Sequence, residues 1–417
     1  MLVWKGMRRR HPLFVVVLVA GSVTAACTSV QSSAATPHLS TASFVYAHGT
    51  QLYLNGKPYH FKGLNIFNAN ARSGCRYSMQ DPVLATSLGQ IGTGENVFRA
   101  WFSQDEVYRK ATSNADWSAF DQTLRDAAQF HERVIVTLGN QWGDCDQPSG
   151  QYKDITFYQS GYTSLLLPRE TYRAWVRDVV TRYRYNATVL MFQLMDEPEA
   201  GTGWANGHTT TCDESAAASA LQQWATDMAS LVKSIDHNHL LDVGSLGGGQ
   251  CGMSGNDYKL VHAVAGIDVC EYHDYHDADN PMPGDQWNGL AVRLQQCGVK
   301  GVNKPLFVGE TGIARSEAVS YQAGTSYGGD SGVGADACAE SSEGQDGCPA
   351  IDSQTCPSAQ QLNCRATDFQ QKFTMQFNAG VVGELAWDWC YAPSQTCNSA
   401  GYDVLANDPL LTLLTKA

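Results

Sequence analysis

The chain has 417 residues, a net charge of −13 at pH 7 and an isoelectric point of about 5.2. This acidic balance argues against a nucleic-acid partner, because nucleic-acid-binding surfaces are basic, and it disfavours an anionic polymer as substrate. A hydrophobic fraction of 43% with 17% charged residues is that of an ordinary globular protein, and the length suits one α/β barrel with insertions or two domains.

The first 26 residues are expected to be a signal peptide of the lipoprotein type. A basic start that includes Lys5 and Arg8 precedes the apolar segment 12–21, which is too short to span a bilayer securely. Small residues then lead to Cys27 and resemble a bacterial lipobox, with ordinary cleavage in this region as the alternative. Lipidation of Cys27 would leave an even number of the 13 cysteines for disulfides in an oxidising compartment. We therefore expect a secreted or lipid-anchored bacterial cell-surface protein whose membrane contact is this anchor.

The chain then proceeds from a tether to alternating strands and helices. Residues 27–43 are rich in Ser, Thr and Ala and predict a flexible tether. Residues 44–60 alternate in polarity and contain Asn55-Gly56, which predicts an N-terminal β-hairpin. The predicted strands cover residues 61–66, 96–101, 134–138, 189–198, 240–244, 266–272, 305–309 and 381–387, and the predicted helices cover residues 81–91, 116–131, 168–184, 214–235, 285–297 and 367–379.

Eight strands that alternate with helices predict an α/β fold, a (β/α)8 TIM barrel formed by residues 44–417. Residues 313–366 interrupt the alternation after the seventh strand. They contain Cys338, Cys348, Cys356 and Cys364, so we expect a disulfide-rich loop insertion that shapes the cleft.

Polar and aromatic residues lie in or follow the predicted strands at their carboxyl ends, where α/β barrels carry catalytic residues. The candidates are Arg99, Asn140, Trp142, Asp196, Glu197, His273, Tyr275, Glu310 and Trp387. Glu197 and Glu310 supply the two carboxyl groups that hydrolysis of an acetal needs, one protonated to release the leaving oxygen and one ionised to attack. The aromatic residues suit sugar rings, whose C–H faces stack on tryptophan.

Seven segments in family order resemble glycoside hydrolase family 5 of clan A, most of all its endo-β-mannanase branch. They are YLNGKPYHFKGLNIF, NVFRAW, TLGNQW, FQLMDEP, DVCEYHDY, PLFVGETG and GELAWDW, spread from residue 53 to residue 389. The resemblance implies a retaining β-glycoside hydrolase that acts, without a cofactor, on a cell-wall or plant-type polysaccharide such as β-mannan or β-glucan. We expect a monomer with no nucleic-acid partner.

The resemblance also implies roles for the candidates. By position, Glu197 matches the acid/base and Glu310 the nucleophile of the family, with the two carboxyl groups about 5–5.5 Å apart. Arg99 matches the arginine that orients the nucleophile. His273 and Tyr275 match the pair on the nucleophile's side. Trp387 matches the platform under the sugar at the cleavage point.

One residue departs from the family pattern. The family usually has Asn before its acid/base, donating a hydrogen bond to the sugar 2-hydroxyl, whereas this chain has Asp196. An ionised Asp can only accept, which suggests an unusual sugar such as a β-galactofuranoside, removed by exo action, as an alternative substrate.

Three further classes of protein fit the sequence less well. The first is a non-catalytic glycan-binding barrel, although both glutamates are present. The second, an esterase, lacks the support of a G-x-S-x-G nucleophile elbow between a predicted strand and a predicted helix. The third, a metal-dependent hydrolase, would need a cluster such as His273, Asp274, His276 and Asp277, but these lie on one local loop and we expect no metal.

Overall fold

An eight-stranded parallel sheet forms the centre of the protein. The computed structural model describes residues 44–70, 83–92, 96–108, 114–143, 145, 152–164, 170–205, 208–275, 280–320, 354–391, 397 and 401–414. The predicted signal peptide with Cys27, the predicted tether and residues 321–353 of the predicted insertion lie outside these described residues.

The strands are β1 (Val45–His48), β2 (Gln51–Leu54), β3 (Lys57–Tyr59), β4 (Phe61–Asn65), β5 (Val97–Trp101), β6 (Arg133–Thr137), β7 (Val189–Gln193), β8 (Thr202–Ala205), β9 (His208–Thr211), β10 (Leu240–Asp242), β11 (Cys270–Asp274), β12 (Leu306–Thr311), β13 (Val319–Ser320), β14 (Gln354–Thr355) and β15 (Val381–Ala386). The α-helices are α1 (Val83–Ile91), α2 (Gln104–Val107), α3 (Ser118–Gln129), α4 (Ile155–Gln159), α5 (Tyr172–Tyr183), α6 (Glu214–Ile235), α7 (Asn256–His262), α8 (Leu290–Cys297), α9 (Gln361–Ala379) and α10 (Leu411–Leu414).

The central sheet curls into a nearly closed barrel. Its order is β10-β7-β6-β5-β4-β15-β12-β11, and neighbouring strands are parallel. The two outer strands are joined through their flanking residues, because Asp268 N donates to Leu241 O and His273 N donates to Leu246 O, both at 2.8 Å. Every residue of β7, β12 and β15 is buried, as expected for strands covered on both faces. The predicted (β/α)8 barrel is confirmed.

The N-terminal strands close the opposite end of the barrel from the site. The predicted hairpin at Asn55-Gly56 is present as β2–β3, but the prediction was incomplete because β1 adds a third antiparallel strand. Val45, Leu52 and Tyr59 of this small sheet pack in one cluster with apolar residues from the barrel strands. This leaves the carboxyl ends of the barrel strands as the face available for a site.

The element boundaries differ from the predictions where strand pairing and packing in the barrel, and not the local sequence, decide where an element begins or ends. The strand predicted for residues 189–198 ends at Gln193, so its two acids lie beyond the strand, whereas Glu310 lies inside β12. Helix α3 begins at Ser118, although Asp116 still accepts a hydrogen bond from the Ser118 amide at 3.1 Å. Helix α9 begins at Gln361, inside the predicted insertion. The hairpin β8–β9 and helix α7 were not predicted.

Disulfides fasten several loops, as the cysteine content predicts. The pairs are Cys212–Cys251, Cys270–Cys297, Cys356–Cys364 and Cys390–Cys397, and Cys145 is also disulfide-bonded. The Cys356–Cys364 pair lies in the predicted insertion. Within the described ranges, no helix has the length and apolar character needed to cross a membrane.

Candidate active site

Arg99 is the centre of the polar cluster at the carboxyl ends of the strands. The side chain projects from β5 and is fully buried. Its Nη1 donates to Glu310 Oε1 at 2.6 Å and to Asn65 Oδ1 at 3.1 Å, its Nη2 donates to Asp196, and its Nε donates to Gln193 Oε1 at 2.7 Å. Burial lowers the pKa of Arg99, but the charges of Asp196 and Glu310 raise it further, so the guanidinium stays charged. The planar guanidinium group of Arg99 thus fixes two carboxyl groups that are distant in sequence.

His273 brings the two predicted catalytic glutamates to one place. Its Nδ1 lies 2.7 Å from Glu197 Oε1 and 3.6 Å from Glu310 Oε2. Two oxygens at these distances from one nitrogen are less than about 6.5 Å apart. That distance is the smallest separation of the two carboxyl groups in inverting glycosidases. Glu197 has a positive φ of 51°, which turns the backbone sharply at the residue predicted to be the acid/base.

The surroundings of His273 favour its protonated form. Burial lowers its pKa, but Glu310, Glu271 and the hydrogen bond to Glu197 raise it well above the ordinary value of 6.5. Both ring nitrogens of an imidazolium are donors, and each lies against a carboxyl oxygen, Nδ1 at 2.7 Å from Glu197 Oε1 and Nε2 at 3.3 Å from Glu271 Oε1. The two glutamates therefore share one cationic neighbour.

Glu310 is surrounded by donors. Tyr275 donates its hydroxyl hydrogen to Glu310 Oε2 at 2.5 Å, and Arg99 donates to Oε1. Burial raises the pKa of Glu310, and His273 and Arg99 oppose that rise. Donors to a carboxylate stabilise its ionised form, which is the form a nucleophile needs.

Asp196 is a buried carboxyl group with a raised pKa. It is 1% exposed, and its Oδ1 accepts from Arg99. Burial raises its pKa to about 8 against the opposing charge of Arg99, and Glu310 and Glu197 raise it further. A protonated carboxyl group can donate a hydrogen bond as an amide does. The raised pKa weakens the expectation that Asp196 only accepts, which was the reason for suggesting an unusual sugar.

A buried layer below Arg99 was not predicted from the sequence. Gln193 Oε1 accepts from Arg99 and from Thr137 Oγ1, the latter at 2.7 Å, and its Nε2 donates to Glu271 at 2.8 Å and to Asp242 at 3.0 Å. All of these side chains lie inside the barrel with 0% exposure. The signal was present in the sequence as polar residues within otherwise apolar strands. Gly309 makes room for this layer, because a Cβ there would lie 1.7 Å from Glu271 Oε1.

Aromatic side chains form a wall beside the carboxyl groups. Trp387 stacks on Phe67 with ring centroids 5.4 Å apart, and it lies 6.4 Å from Trp101. Trp101 in turn stacks on Trp142 at 6.4 Å. All four rings are partly exposed, so part of each ring is accessible to a ligand. Both predicted tryptophans, Trp142 and Trp387, belong to this wall.

Asn140 joins the loop after β6 to the loop after β7. It forms an isolated parallel bridge with Asp196, where Asp196 N donates to Gly139 O at 2.8 Å and Gln141 N donates to Asp196 O at 3.0 Å. The side chain of Asn140 is 1% exposed. The structure thus brings all nine predicted site residues to one end of the barrel.

The charges do not favour a metal ion in this cluster. Ligand atoms of Asp196, His273 and Glu310 lie within 4.8 Å of one another, but Arg99 already pairs with both acids, and the raised pKa of His273 favours the protonated form, which cannot bind a metal. Asp274, which a metal-dependent hydrolase would need as a ligand, instead pairs with Lys372 at 3.0 Å. His276 and Asp277 lie outside the described residues. The observed residues therefore do not assemble the metal cluster of such a hydrolase.

Comparisons with known proteins agree with this architecture. The cellulase model of glycosyl hydrolase family 5 matches residues 53–329. Mannan endo-1,4-beta-mannosidase 1 of Arabidopsis thaliana is 25% identical over 64% of this chain and 71% of its own length. A probable mannan endo-1,4-beta-mannosidase C of Aspergillus terreus is 24% identical over 68% of this chain and 76% of its own.

Solved structures share the fold. The endo-1,4-beta-mannanase of Rhizomucor miehei superposes with a TM-score of 0.58 at 17% identity, over 89% of this chain and 97% of its own. The endo-beta-1,4-mannanase of Thermotoga petrophila superposes with a TM-score of 0.56 at 18% identity, over 87% of this chain and 77% of its own.

Proposed function

The chain belongs to glycosyl hydrolase family 5, and on this premise we propose that it hydrolyses β-1,4-mannan with retention of configuration. One observation carries the proposal: Glu197 and Glu310 both reach Nδ1 of His273, at 2.7 and 3.6 Å. That arrangement suits a double displacement through a covalent intermediate. The mannosidases among the similar proteins support mannan over β-glucan and over a galactofuranoside.

In the first step Glu310 attacks the anomeric carbon of the sugar. The bond from that carbon to the leaving oxygen breaks, and Glu197 transfers its proton to that oxygen, leaving a glycosyl ester on Glu310. In the second step Glu197, now ionised, takes a proton from water as the water oxygen attacks the anomeric carbon. The ester bond breaks and Glu310 leaves as a carboxylate.

The neighbours of the two glutamates orient these steps. Arg99 and Tyr275 each donate to a different oxygen of Glu310 and so fix the direction of attack. His273 lies between the two carboxyl groups and stabilises whichever of them is ionised, Glu310 before the first step and Glu197 after it has given up its proton.

The sugar is held by the aromatic wall and by polar groups beside it. Trp387 and Trp142 offer partly exposed faces for stacking. Protonated Asp196 donates to a sugar hydroxyl, and Asn140 stiffens the loop beside it. No cofactor enters either step.

We further propose that the chain acts outside the cell as a monomer, attached by a lipid on Cys27. The disulfides of the barrel support an oxidising compartment.

A substrate panel with product sizing tests the proposal. The wild-type chain is expected to release manno-oligosaccharides from mannan, with the β-anomer formed first, and to act poorly on xylan and arabinogalactan. Glu310→Gln should lower kcat by at least about 10⁴-fold, because loss of the nucleophile lowers kcat of a serine protease by about 10⁶-fold. Glu132→Gln is the matched control, because Glu132 is also buried but precedes β6 at the other end of the barrel. Unchanged hydrolysis by Glu310→Gln, or α-anomer as the first product, would refute the mechanism.

A further inference from the structure

A short segment far along the chain supports the ring that holds the predicted nucleophile. The ring of Tyr402 meets the ring of Tyr275 edge to face, with centroids 5.4 Å apart and planes at 79°. Tyr275 is the residue that donates to Glu310 Oε2. Gly312 lies against both rings, because a Cβ there would come within 2.3 Å of the Tyr275 ring and 3.1 Å of the Tyr402 ring. Tyr275 thus packs against backbone and against a second tyrosine.

The segment that carries Tyr402 is itself held firmly. Arg365 of α9 is 1% exposed and donates to the carbonyl oxygens of Gly401 and Tyr402, at 3.3 Å each, and of Asp403, at 3.1 Å. The same guanidinium pairs with Asp408. A buried arginine that binds three successive carbonyls fixes the path of residues 401–403, because the planar fork leaves little rotational freedom.

The segment is also tied to the strand that ends in the aromatic wall. Val404 N donates to Asp388 O at 2.8 Å, and Cys390 N donates to Val404 O at 3.0 Å. The disulfide Cys390–Cys397 closes the loop between β15 and this segment. The disulfide Cys356–Cys364 fixes the residue before Arg365. Covalent and hydrogen-bonded links therefore converge on the position of Tyr402.

We propose that Tyr402 is a positioning residue for the nucleophile, acting by fixing the ring of Tyr275 so that its hydroxyl stays on Glu310. The inference rests on the proposed role of Glu310. Without the Tyr402 ring, Tyr275 can turn away from Glu310 while the substrate still meets the aromatic wall. Small misplacements of a catalytic group lower rates strongly, by up to about 100-fold for 1 Å. We therefore expect a loss in kcat of about tenfold with KM changed less than about twofold.

A double-mutant cycle tests this coupling. Tyr402→Ala, Tyr275→Phe and the double variant are compared with the wild type for kcat and KM on mannan. Tyr402→Ala should lower kcat about tenfold in the wild type but less than about twofold in Tyr275→Phe, where no hydroxyl remains to be positioned. Tyr402→Phe keeps the ring and should keep activity. Tyr46→Ala removes a comparable tyrosine pair with centroids 5.6 Å apart in the N-terminal sheet and should leave kcat unchanged.

Three results would overturn the proposal: equal losses in both backgrounds, equal damage from Phe and Ala at residue 402, or a change in KM alone. Tyr402→Leu gives the same comparison if the Ala variant is unstable. If mannan proves to be the wrong substrate, the cycle is measured on the β-glycan that the chain does hydrolyse. If the Glu310→Gln variant keeps its activity, both proposals are overturned. If activity depends on Glu310 but the cycle shows no coupling between Tyr402 and Tyr275, this proposal alone is overturned.

Discussion

Replacing Asp196 by Asn is expected to remove a loss of stability that the wild type suffers as the pH rises. In the folded chain Asp196 keeps its proton up to a pH of about 8, whereas in the unfolded chain it loses the proton near the ordinary value of 3.8. Between these two values the folded state binds more protons than the unfolded state. The free energy of unfolding therefore falls as the pH rises through this window and levels off above the folded pKa.

The magnitude follows from the width of the window. Between about pH 6 and the folded pKa of about 8 the carboxyl group is ionised in the unfolded chain and protonated in the folded chain. This interval is roughly two pH units wide, and each unit corresponds to roughly 1.4 kcal/mol. The Asn variant lacks this ionisation, so its advantage over the wild type should grow by about 3 kcal/mol between about pH 6 and about pH 9. In thermal unfolding the same difference corresponds to about 4 °C for a chain of this size.

The assay is denaturant unfolding with the disulfides intact, followed by tryptophan fluorescence at both pH values. Asp227→Asn is the control, because Arg173 lowers the pKa of Asp227 and its ionisation therefore lies outside this range. A pH-independent difference between Asp196→Asn and the wild type would refute the buried, protonated Asp196. At about pH 6 the variant should also retain mannan hydrolysis within about threefold, because a neutral Asp and an Asn are nearly isosteric donors.

Two further changes probe the frame of the site. Arg99→Lys should lower kcat about 100-fold and stability by roughly 3–5 kcal/mol, because one ammonium cannot reach Asp196, Glu310 and Gln193 together. The surface pair Arg173–Asp227 gives its control, since Arg173→Lys should change stability by less than about 1 kcal/mol. Replacing Cys270 and Cys297 together by Ala should lower stability by about 3.5 kcal/mol with little change in kcat, measured by denaturant midpoint, since this disulfide closes a loop of 27 residues. An unchanged midpoint would mean that this disulfide contributes little.

The residues of the site that could be predicted are polar side chains in or directly after an apolar strand. Parallel strands buried on both faces read as apolar runs, so their ends, and the polar residues placed there, are visible in the sequence. For this reason the sequence predicts Arg99, Glu197 and Glu310 as site residues. Strand ends were less visible, because a strand stops where the barrel no longer pairs it, and Gln193 is followed by two more apolar residues before Asp196.

The parts that could not be predicted depend on contacts between distant segments. Gln193 and Glu271 sit within predicted strands, and only the barrel shows that they face inward and meet. The charge state of Asp196 depends on burial and on neighbours up to 114 positions away, which local sequence does not encode. The sequence around Tyr402 contains no motif that identifies its role. That role depends on contacts with Arg365 and on a loop closed by a disulfide.

Trapping the covalent intermediate shows directly whether Glu310 is the nucleophile. A 2-deoxy-2-fluoro-mannosyl substrate with a good leaving group slows both steps, and breakdown of the ester more than its formation, so the sugar accumulates on the nucleophile. Peptide mass spectrometry of the inactivated chain should locate one mannosyl group on Glu310, and Glu310→Gln should remain unlabelled. Labelling of Glu197 or of another residue, or full turnover without any label, would contradict the account.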